Sequence, residues 1–266
     1  MNFTSKQIWL INYPVMMSVL VEQLINITDA IFLGHVGETE LGASAIAGMY
    51  YLSLYILGFG FSLGLQVMIA RRNGERRPAE TGKVFFQGLF FLTTLAISLV
   101  TLSKVFTPLI LQHLLTSPEI YEAVIQYLDW RTFGLFFAFP MLAFRAFFVG
   151  IAKTRVLTAS AITLASMNVL LNYLLIFGAG KIPALGISGA AMASTISELG
   201  GLFVLVIYTR FKIDKRHYGL FPVFNQRLMG QLFRLSVWSM MHSFISVTPW
   251  FLFFILIEHL GTTQLA

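Results

Sequence analysis

Seven apolar runs, each long enough to cross a bilayer as a helix, constrain this chain more than any other feature. Spanning about 30 Å of hydrocarbon takes roughly 20 helical residues at 1.5 Å each. On that ruler the spans fall at about 7–33, 43–69, 84–106, 123–147, 157–178, 187–209 and 231–258. Short breaks separate them, among them Gly34-His35-Val36-Gly37 and Lys181-Ile182-Pro183. Strands of a membrane barrel are only about 10 residues long and alternate apolar with polar, which these runs do not. Composition agrees: 57% of the residues are hydrophobic and 11% charged, about half the charge of a soluble domain. The sequence therefore predicts an all-α integral membrane protein with seven transmembrane helices. It excludes a soluble globular enzyme, a disordered chain and a coiled coil.

Charge sets the expected orientation. The net charge is +6, and cytoplasmic breaks carry the excess of Lys and Arg. One set of breaks holds Arg71, Arg72, Arg76, Arg77 and Lys83, then Lys153 and Arg155, then Arg210, Lys212, Lys215, Arg216 and Arg227. With Lys6 and the membrane-edge Arg145 and Arg234, that side takes all but three of the 18 basic residues. Lys104, Arg131 and Lys181 fall to the other side. The N-terminus is thus expected to be cytoplasmic and Ala266 outside, and the positive balance calls for no nucleic-acid partner. The first apolar stretch is too long and too polar for a cleavable signal peptide, and reads as the first span. There is no cysteine, hence no disulfide framework, thiolate metal site or Cys nucleophile.

An internal repeat follows. His35-Val36-Gly37-Glu38-Thr39-Glu40-Leu41-Gly42 aligns without gaps on His259-Leu260-Gly261-Thr262-Thr263-Gln264-Leu265-Ala266. Each copy follows a long apolar helix. Six spans separate them, so both have the same orientation, as parallel repeats related by an axis along the membrane normal do. Residues 1–225 read as a six-helix transmembrane lobe. Residues 226–266 read as the start of a second lobe, its first helix (the seventh span), with the chain truncated there.

A carboxylate within a span is costly and marks function. Glu22, Asn26 and Asp29 are spaced i, i+4, i+7 in the first span, on one helix face. Asn168 and Asn172 repeat the i, i+4 spacing in the fifth span, and Ser194 and Glu198 in the sixth. Three helices therefore offer oxygen-bearing faces at membrane depth. The plainer reading is that the amides and hydroxyls glue helices together. The functional one is a site for a proton or a hard cation such as Na⁺, with Asp29 and Asn168 as possible Na⁺ ligands. Pro14 removes a helical hydrogen bond in the first span and is read as a kink or hinge. Gly60 with Gly64, and Gly189, Ala193 and Ser197, follow the small-xxx-small spacing of close helix packing.

Enzyme signatures fail. Walker A needs G-x-x-x-x-G-K followed by Ser or Thr, and neither Gly180-Lys181 nor Gly82-Lys83 supplies it, so any pumping is secondary. Gly60-Phe61-Ser62-Leu63-Gly64 matches G-x-S-x-G but lies inside an apolar helix, without the strand–turn–helix setting that motif requires. An intramembrane serine protease pairing Ser62 with His242, or a seven-helix receptor, is left as an alternative class. No other enzyme is indicated.

Taken in order, these residues resemble a known family. Pro14 and Asp29, then Gly34-His35-Val36-Gly37 and Leu41-Gly42-Ala43, resemble the first span and outer loop of the multidrug and toxic compound extrusion (MATE) transporters. Ala70-Arg71-Arg72-Asn73-Gly74-Glu75 with Gly82-Lys83 resembles the loop after the family's second span. Asn168-x-x-x-Asn172 and Gly186-Ile187-Ser188-Gly189-Ala190-Ala191-Met192-Ala193-Ser194 resemble its fifth and sixth spans. The resemblance implies twelve helices in two lobes, in the cell (inner) membrane, exporting organic cations and drugs in exchange for Na⁺ or H⁺. No cofactor beyond that coupling ion is implied. Asp29 matches the family's acidic residue of span one and Asn168 its amide of span five. Asn172 stands where many members have Asp, and Ser194 where Thr is usual. The partners implied are membrane lipid, a small organic cation and a missing C-terminal lobe. A lipid-linked precursor flippase of the same superfamily is the alternative substrate class.

Overall fold

The breaks between helices fall where the backbone is most strongly punctuated. Pro78 and Pro118 occupy first turns, where a missing N–H costs nothing. Ser117 and Asn225 accept from the backbone N–H groups of Ile120 and Leu228 as caps. The computed structural model describes residues 5–180 and 182–260. Its helices are α1 (Ser5–Gly34), α2 (Glu38–Gly74), α3 (Pro78–Leu114), α4 (Pro118–Arg131), α5 (Leu135–Gly150), α6 (Arg155–Ile176), α7 (Gly186–Lys212) and α8 (Gln226–Glu258). A 3-10 turn, Thr132–Gly134, joins α4 to α5, so these two helices together form one span, Pro118–Gly150. Seven spans result among the described residues, each long and apolar enough to cross a membrane.

Several helices outrun the apolar stretches that announced them. α2 continues to Gly74 and α3 begins at Pro78, because Arg, Gln and Glu sustain a helix until the turn at Arg76, whose φ is 60°. Lys181 and residues 261–266, including most of the second repeat copy, lie outside the described residues. The two histidines that open the repeat copies behave alike. Nδ1 of His35 lies 2.7 Å from the Ile31 carbonyl, and Nδ1 of His259 lies 2.8 Å from that of Ile255.

α2 runs through the middle, against α3, α4, α5 and α8, while α6 pairs with α7 and carries α1. Two hydrophobic clusters fill the interior. The one nearer the basic breaks is rich in aromatics, including Phe61, Phe85, Phe139, Phe147 and Phe148. The other, around Leu33, Ile46, Leu111, Ile120 and Ile187, sits at the opposite end. Small residues set the close approaches. A Cβ on Gly60 would come within 2.7 Å of Met240 on α8, and one on Gly64 would strike Ser236. Gly189 lets α7 lie directly on the backbone of Leu175.

α8 is tied at both ends. The segment leading into it, 213–225, is held by the buried Gln87, whose amide donates to the Val223 carbonyl and whose Oε1 accepts from Asn225 N at 3.0 Å. Gly219, at φ 60°, lets this segment press on Ala79. At its far end Glu258, 3% exposed, accepts from Thr116 N and Oγ1 and, at 2.9 Å, from Ser117 N.

A candidate cation site in the membrane

Asp29 on α1, Asn168 and Asn172 on α6, and Ser194 on α7 meet in one closed ring of hydrogen bonds. Asn172 Nδ2 donates to Asp29 Oδ1 and, at 3.0 Å, to Asn168 Oδ1. Asn168 Nδ2 donates to Ser194 Oγ at 3.1 Å, and the Ser194 hydroxyl donates to Asp29 Oδ2 at 3.3 Å. Local structure dictates this meeting. The i, i+4 spacing stacks both asparagines on one face of α6, and the Gly189 contact brings α7 close enough for Ser194 to reach them. Both asparagines are fully buried. Asn172 Oδ1 is itself buried and has no hydrogen-bond partner among the described residues. A buried amide oxygen without a donor, next to a carboxylate, is an acceptor suited to a cation.

Glu198, one turn along α7, belongs to a neighbouring cluster. No hydrogen bond joins it to the ring among the described residues. It pairs with Arg131 at 2.7 Å and accepts from the Tyr51 hydroxyl at 3.1 Å. This corrects the assignment of Arg131 to an outer break. As the last residue of α4, just before the 3-10 turn, it is carried inside the span and faces α7.

Glu22 is likewise separate, paired with Arg145 of α5 at 3.2 Å. Arg145, counted as a membrane-edge charge, thus has its partner within the bundle. Beside the pair lies a cavity of about 50 Å³ lined by Ser18, Glu22, Tyr55, Arg145, Ser160 and apolar side chains. Asn26 is exposed, and among the described residues its amide donates to Gln23 alone, at 3.4 Å. The three residues therefore share no single site. On a wheel of 100° per residue Asn26 and Asp29 flank Glu22 on opposite sides, and only the two acids find inward partners. α1 continues through Pro14, whose carbonyl accepts from the Thr158 hydroxyl at 3.0 Å. Ser62 donates to the Phe59 carbonyl while His242 is exposed on α8, and no hydrogen bond joins the two.

Arg131, Tyr51 and Glu258 were not singled out from the sequence. Arg131 follows Asp129 by two residues within the run 123–147, and nothing in that spacing marks it as inward-facing. Glu258 stood too near a helix end to be told from a wetted headgroup residue.

Among the described residues, seven helices long and apolar enough to cross a membrane, packed around a polar ring, define a polytopic membrane protein. The MatE family model matches residues 14–174, more than half of the chain, and the chain belongs to that family. It is 26% identical over 257 residues to the "Probable multidrug resistance protein NorM" of Agrobacterium fabrum, covering 95% of this chain and 55% of that protein. The "Multidrug resistance protein NorM" of Aliivibrio fischeri is 26% identical over 261 residues, with the same coverages. Among solved structures, the eukaryotic MATE transporter AtDTX14 matches with a TM-score of 0.84 at 20% identity, over 96% of this chain and 56% of that one. An outward-facing multidrug resistance MATE family transporter matches at 0.79 and 19%, over 91% and 56%. The chain spans about half the length of the curated relatives it matches.

Proposed function

We propose that this chain supplies the first lobe, residues 1–225, and the opening helix of a second lobe, residues 226–266, of an ion-coupled exporter. It sits in the cell (inner) membrane with its N-terminus in the cytoplasm. It moves small organic cations and drugs outward in exchange for inward-moving Na⁺ or H⁺. The reading is supported by the family, by the names of the relatives, and above all by one observation. Asp29 lies inside a span, held by donors from two other helices, with an unpartnered amide oxygen beside it.

The chemistry follows from that ring. Oxygen donors only, from Asp29, Asn168, Asn172 and Ser194, suit Na⁺, and the same carboxylate accepts a proton. Loading from outside removes the one charge that makes the ring costly in a membrane. The lobe then repacks, with α1 moving at Pro14, and favours the conformation that releases substrate outward. Unloading inside restores the negative ring and returns the site to the cytoplasm for the next substrate.

The test is ethidium efflux by the protein expressed from its own gene. Asp29→Asn keeps the hydrogen-bonding shape but not the charge. It is expected to lower efflux at least about a hundredfold, the equivalent of about 2.7 kcal/mol, at unchanged membrane abundance. Unaltered efflux would discard the site. Competition of ethidium efflux by a lipid-linked sugar would move the substrate class to that of a flippase.

A further inference from the structure

One turn along α7 from the ring, about 6 Å on the helix axis, stands the Arg131–Glu198 pair. Both side chains are nearly buried, 14% and 12% exposed. The guanidinium lies over the Tyr51 ring, 3.6 Å from its centroid, and the Tyr51 hydroxyl donates to the same carboxylate. Gly134 leaves the space that the pair occupies, for a Cβ there would collide with both Glu198 Oε2 and Arg131 Nη1. Thr195 Oγ1 fastens α7 to the Trp130 carbonyl alongside, at 3.1 Å. The other charged or titratable groups facing the pair are Tyr55 of α2, Tyr127 of α4 and Asp29 of α1.

Counting charges across the two clusters gives two carboxylates and one guanidinium, so a single negative charge is left uncompensated. Glu22 and Arg145 cancel within their own pair. We infer that Arg131 is a charge-compensating residue that locks Glu198 into a fixed ion pair, leaving Asp29 as the one group in this lobe that loads a coupling cation. It acts through Glu198 and not by touching the cation. A guanidinium stays charged and stays with the chain, whereas Na⁺ and H⁺ come and go. Were Arg131 neutral, Glu198 would compete with Asp29 for the coupling ion, and two monovalent cations would be needed to neutralise the lobe. With Arg131 in place, one suffices. The inference rests on the ion-coupled reading above.

The experiment follows ethidium efflux by the protein expressed from its own gene, against external Na⁺ at fixed pH and against pH at fixed Na⁺. Membrane abundance of every variant is measured in parallel. Wild-type efflux is expected to be first order in the coupling cation. Arg131→Gln strands a buried carboxylate, so efflux should fall at least about tenfold, with a steeper than first-order dependence in what remains. Arg131→Gln with Glu198→Gln removes both charges together and should recover to within about threefold of wild type, again first order. Arg131→Lys, which keeps the charge, should stay nearer wild type than Arg131→Gln. A double variant as slow as Arg131→Gln would reduce the pair to packing and overturn the inference, as would an Arg131→Gln protein unchanged in rate and order. If Asp29→Asn still abolishes efflux in that case, only the role of Arg131 falls. Wild-type efflux indifferent to both Na⁺ and pH would overturn the ion-coupled reading and this inference together.

Discussion

Gly134 has an ordinary helical backbone, with φ −55° and ψ −29°, so its identity is a matter of space. Even a methyl group would enter the volume shared by Arg131 and Glu198. Gly134→Ala should therefore destabilise by about 1–3 kcal/mol, by overpacking and by prising a buried pair apart. Thermal unfolding of the detergent-solubilised protein measures this. Gly74→Ala, where a Cβ meets nothing within 4 Å, should change stability by less than about 1 kcal/mol and serves as the control. The contrast shows how far single residues could be read in the sequence. Asp29 is legible because an acid in an apolar run has few explanations, and the asparagine spacing on α6 pointed to a shared face. Arg131 was not, because counting basic residues by side assigns each to the nearest break, and only the packing of α4 on α7 turns this one inward. Asn26 fails for the opposite reason, since helical spacing defines an arc and burial covers only part of it.

Elements are more legible than their attachments. Every span announces itself by length and apolarity, yet the division of the fourth span at Thr132–Gly134 left no mark strong enough to read. A 3-10 turn preserves the direction of the helix and needs no Pro or break in hydropathy. The attachment of α8 was equally hidden, because it relies on a carboxylate at a helix end and on a glutamine some 140 residues earlier in the chain. Glu258 accepts from the backbone amides of Thr116 and Ser117, charge-assisted bonds that neither amide can replace within α3 or α4. Glu258→Ala should leave both amides without that acceptor. Hydrogen exchange at Thr116 and Ser117 is then expected to quicken by about tenfold or more, corresponding to the loss of about 1–3 kcal/mol of local protection. Amides in the middle of α3 should keep wild-type rates. Wild-type protection at both positions in this variant would show that Glu258 does not seat the far end of α8.

On the scale of the molecule, several helices keep apolar faces open, among them α1, with Leu20, Leu24, Ile27 and Ile31, α3, with Leu102, Val105 and Phe106, and α8, with Trp238, Ile245, Trp250 and Leu256. In a bilayer such faces meet lipid or further helices, which fits relatives about twice as long as this chain. Orientation is the property that decides what Asp29 can do, since a site in the C-terminal half of α1 loads from outside only if the basic breaks face the cytoplasm. These 266 residues contain no cysteine, so a cysteine introduced singly among them is their one thiol and reports sidedness against the unsubstituted protein as background. Arg77 and Glu119 are both exposed and flank opposite ends of α3, whose 37 residues span about 55 Å. Arg77→Cys should react with a membrane-impermeant maleimide only in everted vesicles, and Glu119→Cys only in intact cells. The reverse pattern would place the ring of Asp29, Asn168, Asn172 and Ser194 in the cytoplasmic half. Coupling would then have to load from the inside, and the exchange proposed here would run with the ion and the substrate on the same side, which is no antiport.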